Sequence, residues 1–181
     1  RTRTRPDTRT PSLVNELGDD RDTIAQGDCV LLVVENDLGF ARLMLDSARA
    51  KGFKVLVTAL GATALALTRE YKPSAITLDM YLPDMQGWRV LDRLKHDLQT
   101  QHIPVCVIST DESPDRALQS GALSFVAKPI VQHEILEHPL AHLYAYANRR
   151  RRALLIMPDS PERELLLGYL RDDEIDVTPA D

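Results

Sequence analysis

Four polar clusters interrupt the apolar runs of this 181-residue chain. Glu35-Asn36-Asp37 follows Val30 to Val34, Asp79 closes Ala75 to Leu78, Ser109-Thr110 closes Pro104 to Ile108, and Lys128-Pro129 follows Ser124 to Ala127. If those runs are neighbouring strands, an acidic cluster, a lone carboxylate, a hydroxyl pair and a lysine converge on one mouth. Such a set suits phosphoryl transfer to a carboxylate. Asp79 is the candidate nucleophile, Ser109 a hydrogen-bond donor and Lys128 the partner of the developing charge, while Glu35 and Asn36 help to hold a Mg²⁺ that neutralises the phosphoryl oxygens. Magnesium prefers oxygen ligands, keeps several waters and needs only one or two carboxylates besides phosphate. Each residue also has a plainer reading. Asp79 alone is an exposed strand-end acid, Lys128 a surface lysine beside a turn proline, and Trp88 a packing residue of the helix it opens. Asn36 stands evenly between metal ligand and helix cap, and Asp37 reads as the cap.

The elements that must position these residues alternate along the chain. Short β-branched apolar runs at 29–34, 54–57, 75–78, 104–109 and 124–127 predict strands buried on both faces of a parallel sheet. Between them, Phe40, Met44 and Ala48; Ala64, Leu65, Leu67 and Tyr71; Trp88, Leu91 and Leu94; and Ala117-Leu118 up to Gly121 have helical spacing. A fifth helix is expected over about 131–148, kinked or restarted at His138-Pro139. Strand–helix alternation with short connections predicts a doubly wound α/β domain, a five-stranded parallel sheet with helices on both faces, over residues 28–148. The Arg/Thr-rich opening at 1–27 has too few large apolar residues for a core and reads as a flexible linker.

After Arg149 to Arg152 the pattern starts again. Ala153 to Ser160 aligns at constant offset with Val30 to Asp37, strand onto strand and polar tip onto polar tip, and is followed by an amphipathic stretch and Ile175-Asp176-Val177. Residues 149–181 are therefore expected to be an Arg-rich linker and the first β-α-β of a second, truncated domain of the same kind. Composition narrows the function classes. The chain is 44% hydrophobic with net charge −5, so no global basic field recruits nucleic acid, and no apolar stretch is long enough to span a bilayer. The expectation is a cytoplasmic module without direct membrane contact. Cys29 and Cys106, far apart and both in apolar runs, form neither a disulfide framework nor a CxxC site. No Walker A or G-x-G-x-x-G sequence is present, which argues against nucleotide binding by this chain and against its being by itself an ATP-dependent kinase.

With these motifs in place, the chain resembles a response-regulator receiver domain. The residues that carry the resemblance are Leu31 to Asp37, Ile76 to Trp88, Val107 to Thr110 and Phe125 to Pro129. The Asp-Asp-Arg-Asp…Gly-Asp stretch at 19–28 and the repeat after the arginines resemble the tandem receivers of bacterial hybrid sensor histidine kinases. The resemblance implies a flavodoxin-like fold and a Mg²⁺-dependent phosphoacceptor at Asp79. The phosphoryl group would come from the phosphohistidine of a histidine kinase or phosphotransfer domain, in cis or in trans, and would later be lost to water. It implies Ser109 as the hydroxyl that turns toward the phosphoryl group, Lys128 as the invariant lysine ahead of a cis proline, and Phe125 as the switch aromatic. Glu35, Asn36, Asp79 and the Tyr81 carbonyl would be the metal ligands. The chain would catalyse only its own aspartyl phosphorylation and dephosphorylation, the kinase activity belonging to a parent chain. Two departures stand out. The acidic pair ends in Asn36 instead of an aspartate, which implies weaker Mg²⁺ binding, and the connection from Ser109 to Gly121 is short. The alternative that Asn36 supports is a phosphorylation-independent pseudoreceiver, a docking or homodimerisation module. A dehalogenase-like phosphatase would need a second aspartate two residues after Asp79, where Tyr81 stands.

Overall fold

The computed structural model describes residues 17–110, 113–130, 134–149, 152–172 and 175–180. Its principal sheet contains β1 (Val30–Val34), β2 (Lys54–Thr58), β3 (Ala75–Asp79), β4 (Val105–Ser109) and β5 (Ser124–Ala127), all parallel in the order β2-β1-β3-β4-β5. The connecting helices are α1 (Leu38–Ala50), α2 (Gly61–Tyr71), α3 (Gly87–His96) and α4 (Pro114–Gln119), with α5 (Glu134–Ala147) after the last strand. This is the expected doubly wound, flavodoxin-like architecture, and each strand lies within a residue or two of its apolar run.

Strand alternation divides the core in two. Leu32 and Val34 of β1, Ile76 and Leu78 of β3, and Val105 and Val107 of β4 pack with Ala64 and Leu67 of α2, Val90, Leu91 and Leu94 of α3, and Ala117 of α4. Leu31, Val33, Cys106 and Ile108 point the other way, onto Met44, Leu45 and Ala48 of α1 and Leu136, Leu140 and Leu143 of α5. Burial on both faces explains why these strands read as unbroken apolar runs. Burial also pushes the Cys106 thiol up to about 11, making it an inert core residue, while Cys29 is half-buried.

The order reverses between β1 and β3, because the chain runs outward from β1 to β2 and then returns to build β3, β4 and β5 on the other side. A crevice opens at the carboxyl ends of strands at such a switch point, and Glu35 and Asp79 flank it. Gly87, the first residue of α3, brings the helix hard against the end of β3. Its N–H donates to the Met80 carbonyl at 2.8 Å, and a Cβ there would collide with the Asp79 carbonyl oxygen and lie 2.7 Å from Met80 Cα.

Two sequence expectations are refined. First, of the kink or restart expected at His138-Pro139 the restart does not occur, since α5 continues through Pro139, and residues 131–133, its expected start, lie outside the described residues. Second, the linker expected over 1–27 does not account for residues 18–23; residues 1–16 lie outside the described residues. β2 is an edge strand, and a row of side chains serves its outward amides. Asp19 Oδ2 accepts from Val57 N–H and Asp20 Oδ2 from Val55 N–H, each at 2.9 Å, while Asp20 N–H donates to the Val55 carbonyl at 2.8 Å. Arg21 grips both Asp19 oxygens and Arg49 both Asp20 oxygens. Consecutive aspartates here take the place of a sixth strand and close an edge that would otherwise invite pairing.

The second unit consists of β6 (Arg152–Ile156), α6 (Pro161–Asp172) and β7 (Asp176–Ala180), with β6 and β7 parallel. Its ladder has the same residue spacing as the β1–β2 ladder, and Ser160 Oγ accepts from Arg163 N–H as Asp37 Oδ1 does from Phe40 N–H, so the two helix caps correspond at the offset of the sequence repeat. At that offset Leu154 and Ile156 correspond to the fully buried Leu31 and Val33, yet they are 62% and 69% exposed. The tip residue corresponding to Glu35 is Pro158, so this unit carries no carboxylate there.

Two outcomes follow from the packing. Gly87→Ala should lower unfolding stability by about 2 kcal/mol in urea denaturation, since the new methyl meets backbone that cannot give way. Asp19→Ala should cost a similar amount, about 2 kcal/mol, by leaving the Val57 N–H without its side-chain acceptor and removing the carboxylate that Arg21 grips. Hydrogen exchange would then show faster exchange at Val57, with the β3 amides still protected; unchanged Val57 exchange would mean that the aspartate does not close the edge.

Candidate functional site

The site is built from strand ends, each fixed by the packing beneath it. Asp79 is the last residue of β3, Glu35 follows β1, Ser109 ends β4 and Lys128 follows β5. The Lys128 N–H donates to the Ser109 carbonyl at 2.8 Å, extending the β4–β5 ladder by one step, and the Lys128-Pro129 bond is cis, as the family resemblance implies.

Lys128 Nζ lies 2.7 Å from Glu35 Oε2 and 2.8 Å from Asp79 Oδ2, so one ammonium bridges two carboxylates. Glu35 and Asp79 side chains are only 3% and 7% exposed. The remaining oxygens take backbone donors. Asp79 Oδ1 accepts from Tyr81 N–H at 3.1 Å, and Glu35 Oε1 accepts from Asp37 N–H at 3.0 Å. Burial raises the Glu35 pKa above the usual carboxylate range despite the opposing hydrogen bond from Lys128. Burial also works against the charged lysine, but its hydrogen bonds to Asp79 and Glu35 outweigh that and hold Lys128 above its ordinary value. The cluster is thus a buried anionic pair that depends on a cation between its members.

The structure brings together Glu35, Asp79, Ser109 and Lys128 and separates the other expected residues from them by degree. Ser109 is fully buried at the end of β4. Asn36 is exposed at the rim. Asp37 caps α1, its Oδ1 accepting from Phe40 N–H at 2.8 Å. The Tyr81 side chain is 61% exposed, and its backbone belongs to the loop that leaves Asp79. Phe125 is half-buried on β5 against the core formed with α3 and α4.

Two contributors were not read from the sequence. Phe40 lies beneath the ammonium, with Lys128 Nζ 4.6 Å from the ring centroid, a cation–π contact. In sequence Phe40 has only helical spacing. Asp84 accepts from Gly61 N–H at 2.8 Å and Ala62 N–H at 2.9 Å, clipping the loop after Asp79 to the start of α2. Those backbone donors outweigh the effect of its partial burial and hold Asp84 below its ordinary value.

The donor set suits a hard divalent cation. It consists of oxygens only, and each carboxylate oxygen keeps a lone pair beyond the hydrogen bond it already accepts. Two carboxylates and one lysine also leave one negative charge to be met. Among the described residues no group of three or more acidic, histidine or cysteine side chains is placed to hold a metal, and Asn36, next to Glu35, carries no charge. Lys128→Ala should therefore destabilise the metal-free protein by about 3 kcal/mol, the cost of stranding buried carboxylates. Chemical denaturation checks this, and added Mg²⁺ should restore part of the loss.

Comparison with known proteins agrees with this geometry. The profile of the response regulator receiver domain matches residues 31–139. The polar-differentiation response regulator DivK of Brucella anthropi is 34% identical over 113 residues, 60% of this chain and 89% of that one. Among solved structures, the response regulator receiver domain from Rhodospirillum rubrum is 27% identical with a TM-score of 0.52, covering 63% of this chain and 89% of that chain. The chemotaxis response regulator CheY4 of Vibrio cholerae, 22% identical with a TM-score of 0.59 and covering 64% of this chain and 98% of that chain, shares the fold. Through residues 31–139, with their strand-end carboxylates and lysine, this chain belongs to the response regulator receiver domain family.

Proposed function

We propose that the chain is a phosphoacceptor module of a two-component phosphorelay, with Asp79 receiving the phosphoryl group from a phosphohistidine. The donor is a histidine kinase or phosphotransfer domain, in cis or in trans, and the setting is a cytoplasmic hybrid sensor histidine kinase. The observation that carries this reading is the Lys128 bridge between two nearly buried carboxylates at the β1/β3 switch point.

In the transfer, an Asp79 carboxylate oxygen attacks phosphorus, the bond from phosphorus to the histidine nitrogen breaks, and the imidazole leaves with that electron pair. Asp79 is held for this attack by the Tyr81 N–H on one oxygen and Lys128 on the other. As the carboxylate charge moves onto the phosphoryl oxygens, Lys128 is close enough to follow it, and the Ser109 hydroxyl at the end of β4 supplies a neutral donor. Glu35, Asp79, the Tyr81 carbonyl and Asn36 would hold Mg²⁺, which supplies neutralisation of the phosphoryl oxygens. Asn36 contributes an amide oxygen without charge, so more of the metal's stabilisation falls on Glu35. Phe125, on the strand that carries Lys128, is the aromatic that changes packing when Ser109 and Lys128 turn to the phosphoryl group.

A second reading has one specific observation behind it: the exposed, uncharged Asn36 where an acid would bind metal directly. On that reading the domain docks, or pairs with a second copy, without being phosphorylated.

Intact mass spectrometry after incubation with acetyl phosphate separates the two. A single phosphoryl adduct that requires Mg²⁺ and is absent from Asp79→Asn is the expected result. Persistent absence of an adduct at high Mg²⁺, together with failure to bind beryllofluoride, would favour the docking module. Asn36→Asp should restore the missing charge and lower the Mg²⁺ concentration needed for half-maximal phosphorylation about tenfold, a change equivalent to about 1.4 kcal/mol.

A further inference from the structure

Away from the strand-end carboxylates, α3 and α4 border an open cleft of about 670 Å³. Its lining includes Trp88, Arg89, Arg93 and Arg116, and none of Glu35, Asp79, Ser109 or Lys128. The electrostatics are unusual for a chain of net charge −5. Arg89 and Arg93 are four residues apart on α3, a like-charge spacing that weakens a helix. Arg89 also lies in the first turn, where the helix dipole disfavours a cation and where α3 has no acidic residue. α4 adds Arg116, whose guanidinium lies 4.2 Å from the Trp88 ring centroid. Among the described residues none of the three arginines is in an ion pair, and the one acid in the lining, Asp92, is turned to His96 at 3.1 Å.

Among the described residues these three exposed guanidinium groups have no carboxylate partner, Arg116 meeting the Trp88 ring instead, and local helix preferences oppose the two on α3. Their planar forks match phosphate oxygens, each group able to donate two parallel hydrogen bonds. The cleft is within the size range of small-molecule sites, and its lining is more polar than apolar and carries three arginines, which suits a hydrated anion better than an apolar ligand. We propose that the α3–α4 cleft binds a small diphosphate-bearing anion through Arg89, Arg93 and Arg116. Side chains here provide what a glycine-rich phosphate loop provides elsewhere, so the absence of such a loop in the sequence does not exclude the site.

Trp88 is the only tryptophan in the chain, so its fluorescence reports on the cleft directly. The full chain, in metal-free buffer at low salt, is titrated with pyrophosphate and with ADP, and calorimetry is run on the same samples. A saturable signal with either ligand is expected, weakened about tenfold in Arg89→Ala and in Arg93→Ala, as loss of one charge-assisted contact implies. Tighter binding of ADP than of pyrophosphate would identify a nucleotide as the source of the diphosphate, and equal binding would identify the diphosphate alone; both support the site. The proposal is overturned if neither method gives a saturable signal, if the arginine variants bind as the wild type does, or if an oligoglutamate peptide binds more tightly than both diphosphates. The last result would make the cleft a docking surface for an acidic protein segment.

Discussion

Two carboxylates almost excluded from water and one ammonium between them set the terms for the rest of this structure. Glu35 and Asp79 share Lys128 as their cation in that position, and the half-buried ammonium is in turn held by hydrogen bonds to both. Satisfying all three requires the ends of β1, β3 and β5 to stay in register within a fraction of an ångström. The sheet delivers that register because β1 lies beside β3, and β4 beside both β3 and β5, each through a parallel ladder. Lys128 then spans the width of β4 past the buried Ser109.

The loops complete what the ladders begin. Gly87 lets α3 start directly against the end of β3, Asp84 ties the loop after Asp79 to the first amides of α2, and Asp37 caps α1 immediately beyond Glu35. Each contact is local, yet each restricts a backbone that carries or faces a charged group. At the opposite margin of the sheet, Asp19 and Asp20 serve the outward amides of β2. The principal unit is therefore closed at this edge by side chains. The β6–β7 unit has no comparable cover on Leu154 and Ile156, residues whose counterparts in the principal unit are fully buried.

The strand positions, the helix faces and the polar strand ends were legible because they depend on properties that repeat over a few residues. A strand buried on both faces must be apolar at every position, and a helix between two such strands shows its own spacing. Asp37 was legible as a cap for the same reason, since its partner is the amide of Phe40. Pro139 left a kink and a restart both open, because a proline signals the loss of one helical hydrogen bond and not whether tertiary packing carries the helix through it.

By itself, the sequence determined which residue types stand at the carboxyl ends of the strands, and with them the chemistry open to the site: an acid to attack, a lysine and a hydroxyl to receive charge, oxygen donors for a divalent cation. Only the tertiary structure decided that Lys128 meets both Glu35 and Asp79, residues 93 and 49 positions away in the chain. It also decided that Phe40 lies under that ammonium, that Asp19 and Asp20 line the β2 edge, and that Arg116 comes to rest on Trp88. The physical reason is the range of the interactions. Burial patterns and caps are set by neighbours within a turn or a strand, whereas ion pairs and ring contacts between distant residues exist only after the hydrophobic layers have fixed the distances between elements.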